Sequence, residues 1–413
     1  MERIENILNT LPDKALVLLH AATSPNRNHD VQYPFRQNST FFYLTKINEP
    51  YLCIAISNSE PSILYHHPVT DNQLLWDGEG IDHQAIVRDF QLDQTQDITK
   101  LSESLQSLMD RHEHLIYDFS CPKLSSLLTK LSSPKNCLDI RPFVDARRLI
   151  KGNDEIECIR KATNISVLAH LECIKNVYKL DYEYQVEAQF LYTCQMEGAR
   201  YQAYPCIVAS GANACILHYN QNNQKLKPDQ LLLIDAGCEY QNYASDITRT
   251  YPINGRFSEE QRLVYQAVLN AQEEAIANIK PGITWDLLQQ KCKQTLTKNC
   301  IEIGLLKGTL AQNIKEKTID QLYYHGLGHW LGLDVHDAGP YHHGNKDPLP
   351  LEANMVLTIE PGLYIRPHQD IDQKWWNIGV RIEDDILVTP QGCENLSSAL
   401  PKSVKDIENL TGS

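Results

Sequence analysis

The sequence is short of positive charge. Its 38 lysines and arginines face 52 aspartates and glutamates, for a formal net charge of −14. Nucleic acids and anionic membranes are bound through a basic face, so neither partner is expected. Long apolar runs are missing too: no stretch approaches the roughly 18 residues of a membrane span. The opening MERIENILNTLPDK has mixed charge and no apolar core, so no export signal is expected. No CxxC pair occurs among the 12 cysteines, which read as reduced, buried fillers of a cytoplasmic protein. Glycine is nearly absent from the first 150 residues, with Gly78 and Gly80 alone, whereas the other seventeen follow. That shift marks two differently built halves.

What is present is ordinary in bulk. At 42% apolar and 22% charged, the chain is of globular composition, which excludes collagen-like, disordered and disulfide-scaffold classes. Its 413 residues suit two or three domains at about 150 residues each. In the first half, apolar runs at 15–21, 41–47 and 51–56 read as strands, alternating with helical patterns near 100–111 and 123–131. A junction is expected at 145–153, before a helix opened by Asp154. Then come a helix near 184–197, strands near 204–219 and a strand at 231–234. A capping-box pattern at Ser258 and a helix start at Thr284 follow, with no long helix after 320.

The densest chemistry lies in LLLIDAGCEYQNYASDITRTYPI, residues 231–253. An apolar strand ends in Asp235, a turn-like EYQN follows, and a second strand carries Asp246. With 239–242 as the hairpin loop, Asp235 and Asp246 stand opposite each other, their Cβ atoms about 5 Å apart. Adjacent carboxylates repel unless something positive lies between them, and a divalent cation is the natural candidate. On the hairpin alone a second reading stands equally: one aspartate caps a turn and the other is solvated.

HGLGHWLGLDVHD, residues 325–337, adds His325, His329 and His336. Gly326, Gly328 and Gly332 argue against a helix here, and so against the helical HExxH zinc signature. The third glycine also falls one place late for a dinucleotide-binding loop. Three histidines among glycines that permit close backbone approach point to a site. Glu360 closes a strand before Pro-Gly in TIEPGLYI, and Glu383 lies in the strand-like GVRIEDDILV, where Asp384 and Asp385 read as solvated strand-end residues. Four carboxylates and one imidazole balance two divalent ions, and oxygen-rich ligation favours Mn²⁺, with Zn²⁺ or Co²⁺ as substitutes. Paired metals about 3.5–4 Å apart lower the pKa of a bridging water towards 7, so the expected chemistry is hydrolysis.

The ordered set Asp235, Asp246, His329, Glu360 and Glu383 resembles the pita-bread metallopeptidases, in their Xaa-Pro aminopeptidase (aminopeptidase P) branch. FRQNSTFFYLTKINEP at 35–50 is similar to the N-domain of that branch, so the likeness spans nearly the whole chain. It implies an α/β (α+β) architecture. An N-terminal creatinase/prolidase-like α/β domain would occupy 1–150. A catalytic pita-bread domain, two pseudo-symmetric halves around a curved antiparallel sheet, would occupy 151–413. The resemblance places Asp235 on the first metal, His329 and Glu360 on the second, and Asp246 and Glu383 between them. It further implies that His218 in ILHY and His336 contact the scissile peptide and that His325 lines the proline-side pocket. Tyr364 and Arg381 become a supporting network beside Glu360 and Glu383. Trp76 in LLWDGEG resembles an N-domain aromatic that closes the site, sometimes from a neighbouring subunit; an exposed hairpin tryptophan is the other reading. A homodimer or homotetramer is implied by the same likeness.

The implied activity is removal of the N-terminal residue from peptides with proline second, by attack of a hydroxide bridging the two metals, with Glu360 as general base. The proline nitrogen has no N–H before cleavage, so recognition rests on ring shape in an apolar pocket beside His325. Two alternatives remain. A prolidase would take only Xaa-Pro dipeptides and must bind the free proline carboxylate, for which the sequence identifies no arginine. A metal-free peptide-binding module of the same fold would lack the ligand set.

Overall fold

Five consecutive apolar residues begin the strand Ala15–His20, the composition of a strand covered on both faces. It lies inside a six-stranded mixed sheet in the order Gln94–Asp97, Ile63–His66, Cys53–Ser57, Ala15–His20, His114–Tyr117, Asn136–Asp139. Its neighbours run antiparallel (Cys53–Ser57) and parallel (His114–Tyr117). Helix Leu101–Arg111 presents Leu101, Leu105 and Leu108 on one stripe, which joins Leu16, Leu18, Cys53 and Leu115 in the core. The apolar run at 41–47, expected as a strand, belongs instead to helix Ser39–Thr45. All seven of its residues are buried, so the run has no polar face to reveal its period, and the Asn38 side chain starts it by accepting from Phe41 N at 2.9 Å. The computed structural model describes residues 2–78, 82–131, 136–344 and 347–411. It divides into two compact units, Met1–Arg147 and Arg148–Ser413.

In the second unit every ladder among the described residues is antiparallel. Its long helices are Asn153–Asn176, Glu183–Met196, Glu259–Ala277 and Trp285–Glu302. The first starts one residue before Asp154, because the Glu155 side chain turns back to accept from Gly152 N at 2.9 Å. The third carries the full capping box: Gln261 N donates to Ser258 Oγ, and Ser258 N donates to Gln261 Oε1. The stretch expected as strands near 204–219 yields one strand, Ile207–Ser210, followed by a 3₁₀ turn at Gly211–Cys215. The small residues of GANAC suit that tight turn, and Ile207–Ser210 joins Leu231–Asp235 and Thr248–Pro252 in one sheet. Eight cysteines are buried, whereas Cys137 is exposed. No helix among the described residues is long and apolar enough to cross a membrane.

Candidate metal centre

The hairpin that carries the two aspartates is tighter than its loop composition suggests. Gln241 and Asn242 both take positive φ, 50° and 67°, the signature of a two-residue primed turn. Tyr240 therefore pairs with Tyr243, and Glu239 with Ala244. The same register runs on into the neighbouring ladder, where Asp235 pairs with Thr248. The expected Asp235–Asp246 pairing is thus off by two residues. A slip of two keeps side chains on their original face, so both carboxylates still point the same way. The Tyr204 hydroxyl reaches both, at 2.6 Å from Asp235 Oδ1 and in a short contact with Asp246 Oδ1. Asp246 falls across from Gly237, where an added Cβ would lie 1.8 Å from the Ser245 carbonyl oxygen; only glycine fits there.

His329 arrives from the loop 327–331, which runs alongside strand Val356–Ile359. Thr358 N donates to His329 O at 2.9 Å and Glu360 N to Leu327 O at 2.8 Å. Gly328 permits the approach, since a Cβ there would meet Thr358 O at 2.1 Å. The His329 Nδ1–H donates to the Trp330 carbonyl at 3.0 Å, which leaves Nε2 aimed at Asp246 Oδ2 (3.3 Å) and Glu360 Oε1 (3.5 Å). Glu383 closes the group. Its backbone N donates to Thr248 O, and its Oε2 accepts from Thr248 Oγ1 at 2.6 Å. Its other oxygen, Oε1, is buried without a hydrogen-bond partner. Ligand atoms of Asp246, His329 and Glu383 lie within 4.8 Å of one another.

These residues fit divalent metal. Burial and mutual repulsion push the Asp246, Glu360 and Glu383 carboxyls up, Glu360 to about 7. An orphan carboxylate oxygen and an imidazole whose other nitrogen is committed to a carbonyl are the donor chemistry of a metal site. Protein cations alone serve it poorly: Arg381 is spent on Asp235 at 2.6 Å.

A cavity of about 510 Å³ opens over this cluster, lined also by His218, His325, His336 and Arg381. Arg381 donates to the Tyr364 hydroxyl at 2.8 Å. His325 gives its Nδ1–H to the Gly326 carbonyl, so its Nε2 accepts from Tyr364 at 2.7 Å. Burial, helped by Arg381, pushes His325 down to about 4 and keeps it neutral. His336 packs edge-on against His329, with ring centres 4.3 Å apart. His218 and His336 are both exposed at the cavity wall. Trp76 sits on helix Asp71–Asp77 of the first unit, 77% exposed, with its indole N–H on Asn72.

Asp384 and Asp385 are not solvated. Both are fully buried. Asp384 pairs with Arg249 and Lys402, each at 2.7 Å, which hold its carboxyl low against the cost of burial. Asp385 accepts from Thr163 Oγ1 at 2.7 Å and from the backbone N of Asp246, and so braces that residue. Tyr204, Thr248 and Asp385 carry no motif that marks them in the sequence. Thr248 alone had a signal, sharing a strand face with Asp246.

Residues 157–390 match the profile of metallopeptidase family M24. The chain belongs to that family. Ahead of the M24 region, residues 1–117 match the N-terminal domain of aminopeptidase P, so the chain has the two-domain aminopeptidase P architecture. A Xaa-Pro aminopeptidase of Haemophilus influenzae is 36% identical, over 99% of this chain and 96% of that protein. The Xaa-Pro aminopeptidase of Escherichia coli is 34% identical over the same shares. The solved structure of Pseudomonas aeruginosa aminopeptidase PepP superposes with a TM-score of 0.95 at 34% identity, covering 99% of this chain and 96% of that one. The M24 match makes this chain a divalent-metal peptide hydrolase, and the full-length likeness favours the aminopeptidase over the prolidase.

Proposed function

We propose that this chain removes the N-terminal residue from peptides with proline in second position, using two divalent ions. Asp235 would hold the first, His329 and Glu360 would hold the second, and Asp246 and Glu383 would serve both. The observation that carries the reading is that Asp235, Asp246, Glu360 and Glu383 line one cavity with His329, whose Nε2 faces Asp246 and Glu360, with Glu383 Oε1 left without a donor. Oxygen-rich ligation favours Mn²⁺, with Zn²⁺ or Co²⁺ as substitutes. Bound there, the ions supply a water ionised near neutral pH and a Lewis acid for the scissile carbonyl.

The chain's own residues do the rest. Glu360 accepts the proton of the attacking water and returns it to the proline nitrogen as the bond breaks. His218 and His336 polarise the scissile carbonyl from the cavity wall. Neutral His325, oriented by Tyr364, presents a flat ring face to the proline ring. Arg381 fixes Asp235 and Tyr364 together, so the ligand and the pocket wall move as one. The chain works in the cytoplasm, the compartment that suits its 12 cysteines, as a homodimer or homotetramer.

The test is an assay of chelator-stripped protein, with and without Mn²⁺, on a Xaa-Pro-Yaa tripeptide and the matching Xaa-Pro dipeptide. Mn²⁺-dependent release of the first residue from the tripeptide is expected. Cleavage of the dipeptide alone would make the chain a prolidase, and no cleavage with no metal bound would return it to the peptide-binding reading.

A further inference from the structure

The strand that follows Glu360 carries a row of side chains out of the metal cluster. Along Gly362–Ile365 alternate residues share a face, so Gly362, Tyr364 and the next position, Arg366, stand in line. Gly362 pairs with Arg381 and Tyr364 with Gly379, which sets this face over the Arg381–Tyr364–His325 network. Arg366 is the solvent end of the row. Its Nε and Nη2 donate to the Cys215 carbonyl at 3.1 and 2.7 Å, three residues before His218. Its guanidinium stands 5.8 Å from the ring of Tyr324, which is 46% exposed and precedes His325. No described carboxylate forms an ion pair with it, although the chain carries 14 more acidic than basic residues.

From this placement we infer that Arg366, backed by the Tyr324 ring, is a subsite for a carboxylate that the peptide carries beyond its proline. The inference rests on the aminopeptidase reading and names the substrate class that reading leaves open. The steps from His325 to Tyr364, from Tyr364 to Tyr324 and from Tyr324 to the guanidinium are 5.5, 6.2 and 5.8 Å. An extended peptide advances roughly 3.3–3.6 Å per residue, so at most about five residues beyond a proline beside His325 span this path to Arg366. A planar guanidinium with Nη1 turned from Cys215 offers charge-assisted hydrogen bonds to a carboxylate, and the aromatic ring holds it in place. Two sources carry that group: the C-terminus of a tripeptide, or an aspartate or glutamate side chain in a longer peptide.

The experiment compares the metal-loaded wild type with Arg366→Ala and with Arg366→Gln, which keeps a donor for the Cys215 carbonyl. Substrates are the Xaa-Pro dipeptide, Xaa-Pro-Yaa as free acid and as C-terminal amide, and Xaa-Pro-Glu-Yaa amide against its glutamine counterpart. The expected result is a fall of about threefold to tenfold in the acid-over-amide ratio of kcat/KM, carried by KM, in both variants. Loss on the tripeptide acid assigns a C-terminal carboxylate, and loss on the glutamate peptide an acidic side chain. An unchanged ratio overturns the subsite. So does an equal drop on every substrate through kcat, which would make Arg366 only the clamp that holds Cys215 and His218. A loss confined to the Xaa-Pro dipeptide overturns it as well. Wild-type cleavage of the amide upholds the aminopeptidase reading whatever the ratio does. Calorimetric binding of the product Pro-Yaa, acid against amide, reads the subsite without turnover.

Discussion

His329 shows how one ring does two jobs. Its Nδ1–H is committed to the Trp330 carbonyl, so the lone pair on Nε2 has a fixed direction before any ligand binds. Glu360 next to it is both a proposed metal ligand and the proposed base. Glu360→Ala removes both roles and should leave less than a few per cent of wild-type turnover on a Xaa-Pro-Yaa tripeptide. Its circular dichroism should match the wild type; a retained rate above that level sinks the assignment. Gly328 is as exacting in a different way. A Cβ there meets the Thr358 carbonyl oxygen, so the 327–331 loop must lift away from the strand. Gly328→Ala should cost about 1–3 kcal/mol in urea unfolding and weaken metal binding, since Nε2 moves off the carboxylates.

At the scale of elements, the segment that bears His218 has no regular structure after Cys215 and depends on one buried carboxylate. Glu183, at the start of helix Glu183–Met196, accepts from Ser210 N and Oγ, Asn213 Nδ2, the Tyr219 hydroxyl and Gln224 N, at 2.7–3.2 Å. Every one of those donors lies within residues 210–224, around His218. Glu183→Gln sets an NH₂ group against donors it cannot satisfy, for a loss of about 1–3 kcal/mol. We expect kcat to fall about tenfold with full metal content by elemental analysis, because His218 wanders while the ligands stay put. A kcat unchanged within twofold would show that the loop holds His218 without Glu183.

Over the whole molecule, stability is linked to two kinds of charge. Burial alone would raise Asp337, but Lys151 at 3.1 Å and Arg148 in a shorter contact hold it below its ordinary value. A depressed carboxyl contributes stability that is present above about pH 4 and lost as pH falls through its lowered folded value. Asp337→Asn should therefore cost about 3–5 kcal/mol at neutral pH and flatten the acid limb of unfolding. An acid limb of unchanged slope would place the titration elsewhere. The second link is metal. Ions held by the proposed set of Asp235, Asp246, His329, Glu360 and Glu383 would bind the folded chain alone, so Mn²⁺ at about a hundredfold over its dissociation constant should add about 2.7 kcal/mol. Chelation should lower the melting temperature, and Mn²⁺ should restore it; a melting curve blind to both would mean that the five donors do not act together.

What the sequence by itself determined is the donor set of the candidate centre and the kind of scaffold. Donor types belong to side chains, and Asp235, Asp246, His329, Glu360 and Glu383 stand in an order readable without coordinates. The capping box at Ser258 and the strand at 231–234 were legible because caps and apolar runs act over a few residues. Other features needed the fold. The hairpin register turned on the backbone of Gln241 and Asn242, and only the parity of the slip kept both aspartates on one face. The helix at 39–45 was hidden by burial on every side. Asp384 and Asp385 read as solvated because the residues that pair with them, Arg249 and Lys402 for one and Thr163 for the other, come from distant segments. The Tyr204 bridge, the Glu183 hub and the place of Arg366 were decided there too. Each is a contact between segments far apart in the chain, which local pattern does not encode and packing alone supplies.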